Sequence, residues 1–221
     1  MSDENSILLI DKPAGMTSFG VVARVRRVMS QQFGHKVKVG HTGTLDPFAT
    51  GLMIIVTGKE CRNAGTYSKL DKVYEATIRL GQTSTTGDPE GEITDVSVAE
   101  SSLAAIEAIL PRFRGEITQR PPMFSAIKIN GQRAYKLARA GEVVEVPERQ
   151  VTIFSLDILD YTYPELKIRT HVSSGTYIRT LAEDIGKALG VGAYCTELRR
   201  ISIAEWGTQD ARLLSDLGVT D

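Results

Sequence analysis

Gly40-His41-Thr42-Gly43-Thr44-Leu45-Asp46-Pro47-Phe48-Ala49-Thr50-Gly51 packs three glycines, one proline and a single carboxylate into twelve residues. It lies between a short β-like run, Lys36–Val39, and an apolar run, Leu52–Val56. Glycines give such a loop its tight bends, and Pro47 fixes its own φ while biasing Asp46 away from helix. Asp46 is therefore presented at a stiff bend and not on a solvated helix face. Its plainest reading is an Asp that caps the next element or closes an Asx turn. Phosphate binding through backbone N–H groups is a weaker reading, because the Lys-Ser/Thr ending of a P-loop is missing.

Working outward, Ile7–Ile10 is a short apolar strand that runs into a turn at Asp11-Lys-Pro-Ala-Gly15. Thr17 or Ser18 caps the helix that follows, whose apolar stripe is Val21, Val22, Val25, Val28 and Met29, with Arg24 and Arg27 off it. On the other side, Leu52–Thr57 reads as a buried strand and Gly58–Tyr67 as a weakly patterned helix. Lys72–Gly81 alternates, with Tyr74, Ala76, Ile78 and Leu80 on the core face. Tyr74 by itself reads as a core aromatic with its hydroxyl satisfied. Gln82–Gly91 is a polar loop, and its clustered acids do not fit calcium-loop spacing. A helix is expected over Val98–Leu110, and strands over Glu142–Val146, Val151–Leu159 and Leu166–Val172. Ser173-Ser-Gly175 turns into a helix, Thr176–Leu189, striped by Ile178, Leu181, Ile185 and Leu189. Arg179 sits near that helix's N-terminus, where the dipole disfavours a cation, which points to a specific carboxylate or phosphate partner. This mixture, with hairpin-length links among the later strands, predicts an α+β fold around a mixed, largely antiparallel sheet flanked by helices.

The 221 residues are 42% hydrophobic and 24% charged, ordinary for a globular chain with a real core. No apolar run approaches the roughly 20 residues of a membrane span. The polar start, Met1–Ser6, is not a targeting signal, so a cytoplasmic location is expected. Cys61 and Cys195 read as reduced thiols. His35, His41 and His171 show no metal-ligand spacing, and no cofactor motif is present, so neither metal nor cofactor is expected. Net charge is −1, but six Lys/Arg and no acid lie between Lys12 and Leu45, against six acids and no base from Asp88 to Glu107. The plain reading of such runs is solvated faces; a basic side able to follow a phosphate backbone is the alternative. Gln119–Arg139 interleaves two aromatics with five bases, among them Arg120, Lys128 and Arg133, and contains no acid. That composition suits RNA, where rings stack on splayed bases and cations meet phosphates; a strand and short helix with a basic face is the structural alternative.

The Asp46 loop closely resembles the signature of the TruB family of tRNA pseudouridine synthases. So do Asp11-Lys-Pro-x-Gly-x-Thr-Ser18, Lys72-x-Tyr74 followed by Leu80-Gly81, and Ser84-x-Thr86-x-Asp88-x-x-Gly91. Pro121-Pro-x-x-Ser-Ala-x-Lys128, Gly175-Thr-Tyr-Ile-Arg-Thr180 and Leu198-Arg-Arg200 extend the resemblance, which covers about residues 7–206. Gly58-Lys-Glu-Cys-Arg62 departs mildly from the family's Gly-x-Ala-Thr-Lys. The resemblance implies the pseudouridine synthase fold and conversion of a uridine in the T loop of tRNA, conventionally position 55. It implies Asp46 as catalytic carboxylate and nucleophile, Tyr74 against the target base, and Arg179 as the cation that keeps the carboxylate ionised. His41, Tyr177 and Leu198 would bind the flipped uridine, and Lys12, Arg120, Lys128 and Arg133 would contact RNA. It implies one catalytic domain over 1–221 with an RNA-contacting insertion at about 117–141; bacterial members of the family usually continue into a C-terminal module of the PUA type, and no such module is expected here. A monomer without cofactor, acting on the tRNA T arm away from membranes, is expected. A guide-RNA-dependent relative and a tRNA-binding folding factor are the alternatives; a hydrolase using Asp46 lacks a second carboxylate in a comparable motif.

Overall fold

The computed structural model of the chain describes residues 3–125, 127–129, 131–142 and 145–218. In chain order the elements are β1 (Ile7–Lys12), α1 (Ser18–Phe33), β2 (Val39–His41), β3 (Thr50–Thr57), a 3-10 turn Gly58–Asn63 leading into α2 (Ala64–Ser68), β4 (Lys72–Leu80), β5 (Gln82–Ser84) and β6 (Ile93–Asp95). There follow α3 (Leu103–Ile109), β7 (Gly115–Gln119), β8 (Lys128–Ile129), β9 (Gln132–Arg133), α4 (Ala134–Arg139), β10 (Arg149–Thr162), β11 (Glu165–Val172), α5 (Ile178–Leu189), β12 (Ala193–Ile203) and β13 (Trp206–Gly207). The expected class holds: helices flank a mixed sheet in which most pairings are antiparallel. The chain divides into two compact units, one formed by residues up to Tyr74 with those from Arg199 onward, the other by Glu75–Leu198.

In the first unit β3 is central. It pairs antiparallel with β1, from Ile7 opposite Val56 to Lys12 opposite Gly51, and with β2 at its far end, Val39 opposite Thr57. Its start pairs parallel with β12, Arg200 opposite Gly51. Leu52, Ile54 and Val56 pack with Ile203, and the alternate residues Met53 and Ile55 are buried too. A strand covered on both faces reads as a continuous apolar run, which is why Leu52–Val56 shows no alternation. Helix α1 starts where Thr17 accepts a hydrogen bond from Gly20 N at 2.9 Å and stops at Gly34, in the left-handed region at φ +73°. Val21, Val22, Val25 and Met29 form its buried face.

In the second unit the strand order is β12-β4-β11-β10-β7. β10 and β11 form a long antiparallel hairpin, Ile153 opposite Val172 and Thr162 opposite Glu165, and β7 lines the other edge of β10. Ile78, Leu80, Ile153, Leu156, Leu166, Ile168 and Val172 are buried, as are Ile178, Leu181 and Ile185 of α5. Helix α5 comes so close to β12 that a Cβ at Gly186 would stand 2.3 Å from Ala193 N.

Several boundaries differ from expectation. The helix expected from Val98 starts at Leu103, where Ser102 accepts from Ala105 N at 3.2 Å; Val98 is exposed, and Leu103 is largely exposed while Ile106, Ile109 and Leu110 are buried. The Gln82–Gly91 loop begins as β5, which pairs with β6. The helix expected from Thr176 starts at Ile178, with Tyr177 at its N-cap. Of the strand expected at Glu142–Val146, residues 143 and 144 lie outside the described residues, and Glu142, Glu145 and Val146 are not in a strand.

Candidate active site

In the first unit the backbone on both sides of Asp46 is pinned. Ser18 Oγ donates to Leu45 O and accepts from Leu45 N, each at 2.8 Å. Lys12 Nζ donates to Pro47 O at 3.2 Å, and also to Pro13 O at 2.8 Å and Met16 O at 2.6 Å, while Gly15 N donates to the same Pro47 O at 2.8 Å. Ala49 N donates to Asp46 O at 3.2 Å, which closes a turn with Pro47 at its second position, the place where a fixed φ helps most. Asp46 is half-buried, between buried Leu45 and buried Ala49.

The loop's ends are held by Arg200. It is 1% exposed, and it donates from Nε to Leu52 O at 2.7 Å and from Nη2 to Gly43 O at 3.2 Å. Gly51 has φ +104°, and a Cβ there would stand 2.3 Å from Arg200 O, so only glycine lets β3 and β12 meet at this point. Lys72 lies beside the same loop, with its Cε 3.9 Å from a Cβ built at Gly43; its Nζ donates to Ser68 O at 3.1 Å and to Leu70 O. Burial, then the neighbouring Arg200 guanidinium, push the Lys72 ammonium down to about 8 against the opposing pull of Asp71. Tyr74, two residues on, is buried as the alternation in β4 predicts, and His41 is half-buried at the end of β2.

The second unit contains Arg179, Tyr177 and Leu198. Arg179 is buried and forms an ion pair with Asp88, Nη1 to Oδ2 at 2.8 Å, with the two side chains only 4% and 5% exposed. Nη1 also donates to Thr86 O and Nη2 to Phe124 O, both at 2.8 Å. Asp88 Oδ1 in turn accepts from Thr86 Oγ1 at 2.5 Å and Glu90 N at 3.0 Å. A buried ion pair survives desolvation only when its remaining hydrogen-bonding groups are met in this way. Asp88 is thus one specific carboxylate that the awkward position of Arg179 on α5 called for. The signal for it lies in Thr86-x-Asp88, which the sequence presents as a polar loop and a family motif without naming a partner for Arg179. Burial also pushes the Glu183 carboxyl, one turn along α5, above its ordinary range.

The N-terminus of α5 is stitched to the segment that follows β7. Tyr177 N donates to Gln119 Oε1 at 3.0 Å, Gln119 Nε2 donates to Tyr177 O at 3.3 Å, and Thr180 Oγ1 donates to Arg120 O at 3.4 Å. Arg149 lies over the Tyr177 ring, 5.8 Å from its centroid. Leu198, in β12, is buried.

The residues expected to contact RNA separate. Lys12 is corrected: it is 0% exposed, and its ammonium is used on carbonyls that hold the Asp46 loop, so it is an internal brace. Arg120 is half exposed and holds the exposed carboxylates of Glu145 and Glu148, each at 3.0 Å. Solvent screens such surface pairs, so they hold Arg120 weakly and exchange readily for phosphate. Arg133 is exposed at the start of α4, and Lys128 lies in β8.

Comparison with known proteins places the chain. The model of the TruB family pseudouridylate synthase N-terminal domain matches residues 26–178, and that of the tRNA pseudouridylate synthase B C-terminal domain matches residues 179–218. The tRNA pseudouridine synthase B of Burkholderia lata is 45% identical over 217 residues, covering 98% of this chain and 66% of that protein. That of Cupriavidus pinatubonensis is 46% identical over 204 residues, covering 91% and 63%. The chain thus spans somewhat under two thirds of the length of these relatives. Among solved structures, a Cbf5-Nop10-Gar1 complex matches with TM-score 0.74 and 28% identity, over 96% of this chain and 53% of that one. An H/ACA RNP bound to a substrate RNA containing 2′-deoxyuridine matches with TM-score 0.71 and 26% identity, over 96% and 52%. Family models that run from Arg26 to Gly218, and take in both the braced Asp46 loop and the Arg179–Asp88 pair, leave one conclusion: the chain belongs to the TruB family of pseudouridylate synthases.

Proposed function

We propose that the chain isomerises a uridine in the T loop of tRNA, conventionally position 55, to pseudouridine. The N1–C1′ bond breaks, the detached uracil turns while held, C5 bonds to C1′, and the proton on C5 is lost as N1 gains one. The observation that carries this reading is the Asp46 loop. A carboxylate that meets the sugar at C1′ must be held still, and here the peptides on both sides of it are pinned by buried Ser18 and Lys12. Orientation of this kind is among the larger contributions to catalysis. Asp46 acts as the nucleophile at C1′, bonding there as N1 leaves and departing as C5 bonds to the same carbon. Tyr74 packs on the uracil with its hydroxyl available for proton transfer. Arg179, its charge held in place by Asp88, is the cation the reaction requires. His41 helps displace the base, which must leave its stack before any side chain reaches it, and Tyr177 and Leu198 line its site. The segment around 117–141 contacts RNA through Arg120, Lys128 and Arg133, and residues 1–221 serve as one catalytic domain. Identity of 45% to a protein named tRNA pseudouridine synthase B supports tRNA as the substrate.

The test is tritium release from unmodified tRNA labelled at uridine C5. Wild type is expected to release it, and Asp46→Asn to release none while still binding tRNA. Equal loss of binding and turnover would count against Asp46 as nucleophile. Tight binding without release by wild type would favour the folding-factor alternative.

A further inference from the structure

Helix α1 presents one large apolar side chain that neither the core nor the candidate site uses. Phe19, in its first turn, is 64% exposed. Its neighbour Ser18 points inward to Leu45, so the same turn braces the Asp46 loop on one side and offers an aromatic ring to solvent on the other. Ala23, one turn along the same face, is too small to cover the ring. Arg26 stands over it at 5.8 Å from the centroid, anchored by Nη2 donating to Val39 O at 3.2 Å. Arg24 and the exposed Arg27 have no carboxylate partner among the described residues, and α1 contains no Asp or Glu. An ordinary solvated helix face carries acids at i±4 to balance its bases. This one has three guanidiniums, no acid and an open ring.

We propose that the start of α1 is a second RNA contact, where Phe19 stacks on an unpaired nucleotide of the substrate and Arg24, Arg26 and Arg27 meet its phosphates. The cations select a polyanion and the flat ring selects a planar group, and single-stranded nucleic acid supplies both. This contact rests on the reading of RNA as substrate. It lies apart from the flipped uridine, because Phe19 faces solvent while Ser18 faces the loop.

Binding of full-length unmodified tRNA transcript tests it, with tritium release measured in parallel. Phe19→Ala, which alters only an exposed side chain, is expected to raise Kd about 5- to 100-fold with no change in Tm. Phe19→Trp should restore binding, with fluorescence that changes on adding tRNA beyond the wild-type Trp206 signal. Arg24→Gln with Arg27→Gln should lower the slope of log Kd against log salt by about 1.4, roughly 0.7 for each phosphate contact. If wild type binds and modifies tRNA while Phe19→Ala binds equally well, the contact is overturned and the enzymatic reading stands. If Phe19→Ala changes the oligomeric state and leaves RNA binding intact, the ring belongs to a protein contact and the proposal fails. Wild type that neither binds nor modifies tRNA removes both.

Discussion

Single residues carry the strongest consequences where a charge is buried. Arg179 and Asp88 are almost fully buried, so Asp88→Ala strands a guanidinium without its carboxylate; a loss of about 3–5 kcal/mol is expected in urea unfolding. Replacing both partners by apolar residues of similar size should recover most of that loss while abolishing turnover, which separates the structural need for Asp88 from the proposed chemical need for Arg179. Ser18→Ala leaves the buried peptide groups of Leu45 short of two hydrogen bonds, at a cost of about 1–3 kcal/mol. If the pinned loop matters for chemistry, this variant will also lower kcat more than it raises KM in the tritium assay. Asp46, Tyr74 and Arg179 enter the proposed site on motif resemblance. The inward role of Ser18 was not legible in the sequence, because a Ser next to a helix cap reads the same whether it caps or braces; Thr17 took the cap.

At the scale of elements, the parallel contact between β3 and β12 depends on Gly51. Gly51→Ala combines a disfavoured φ with a clash against Arg200 O, so destabilisation above about 2 kcal/mol is expected by thermal unfolding. Lys72, at the start of β4, has a depressed pKa of about 8 when folded, while the unfolded chain keeps the ordinary lysine value near 10.5. Between those values the unfolded state binds more protons, so stability rises with pH across about 8 to 10.5, and the cost of the buried ammonium is fully present below 8. Lys72→Met should flatten that rise, as read from unfolding free energies at pH 7.5 and 10. Most helices and strands were legible, since their apolar periods survive in local sequence. The start of α3 was not: Val98 is apolar but lies exposed before the Ser102 cap, and an apolar residue alone does not say where a helix begins.

Over the whole molecule, a net charge near zero conceals a basic run from Lys12 to Leu45 and an acidic one from Asp88 to Glu107. Polyanion binding through the basic residues should show as salt dependence of tRNA affinity. Arg120→Ala, Lys128→Ala and Arg133→Ala together are expected to weaken binding and lower the salt slope by about 2, at roughly 0.7 for each contact. An unchanged slope would return the 117–141 segment to a purely structural role. Lys12 will not contribute to that slope, since its ammonium is enclosed by carbonyls.

The sequence by itself determined the family, the α+β class, the carboxylate at the bend and the presence of most elements. All of these are written in short windows: a twelve-residue loop, a helical or alternating period, a proline after an aspartate. Only the tertiary structure decided that Lys12 is buried, that Asp88 pairs with Arg179 across 91 residues of chain, and that the run from Arg199 onward joins the N-terminal unit. The physical reason is common to all three. A charged or apolar side chain has no fixed destination until desolvation is balanced by partners far away in sequence, and those partners are chosen by packing, which no local window records.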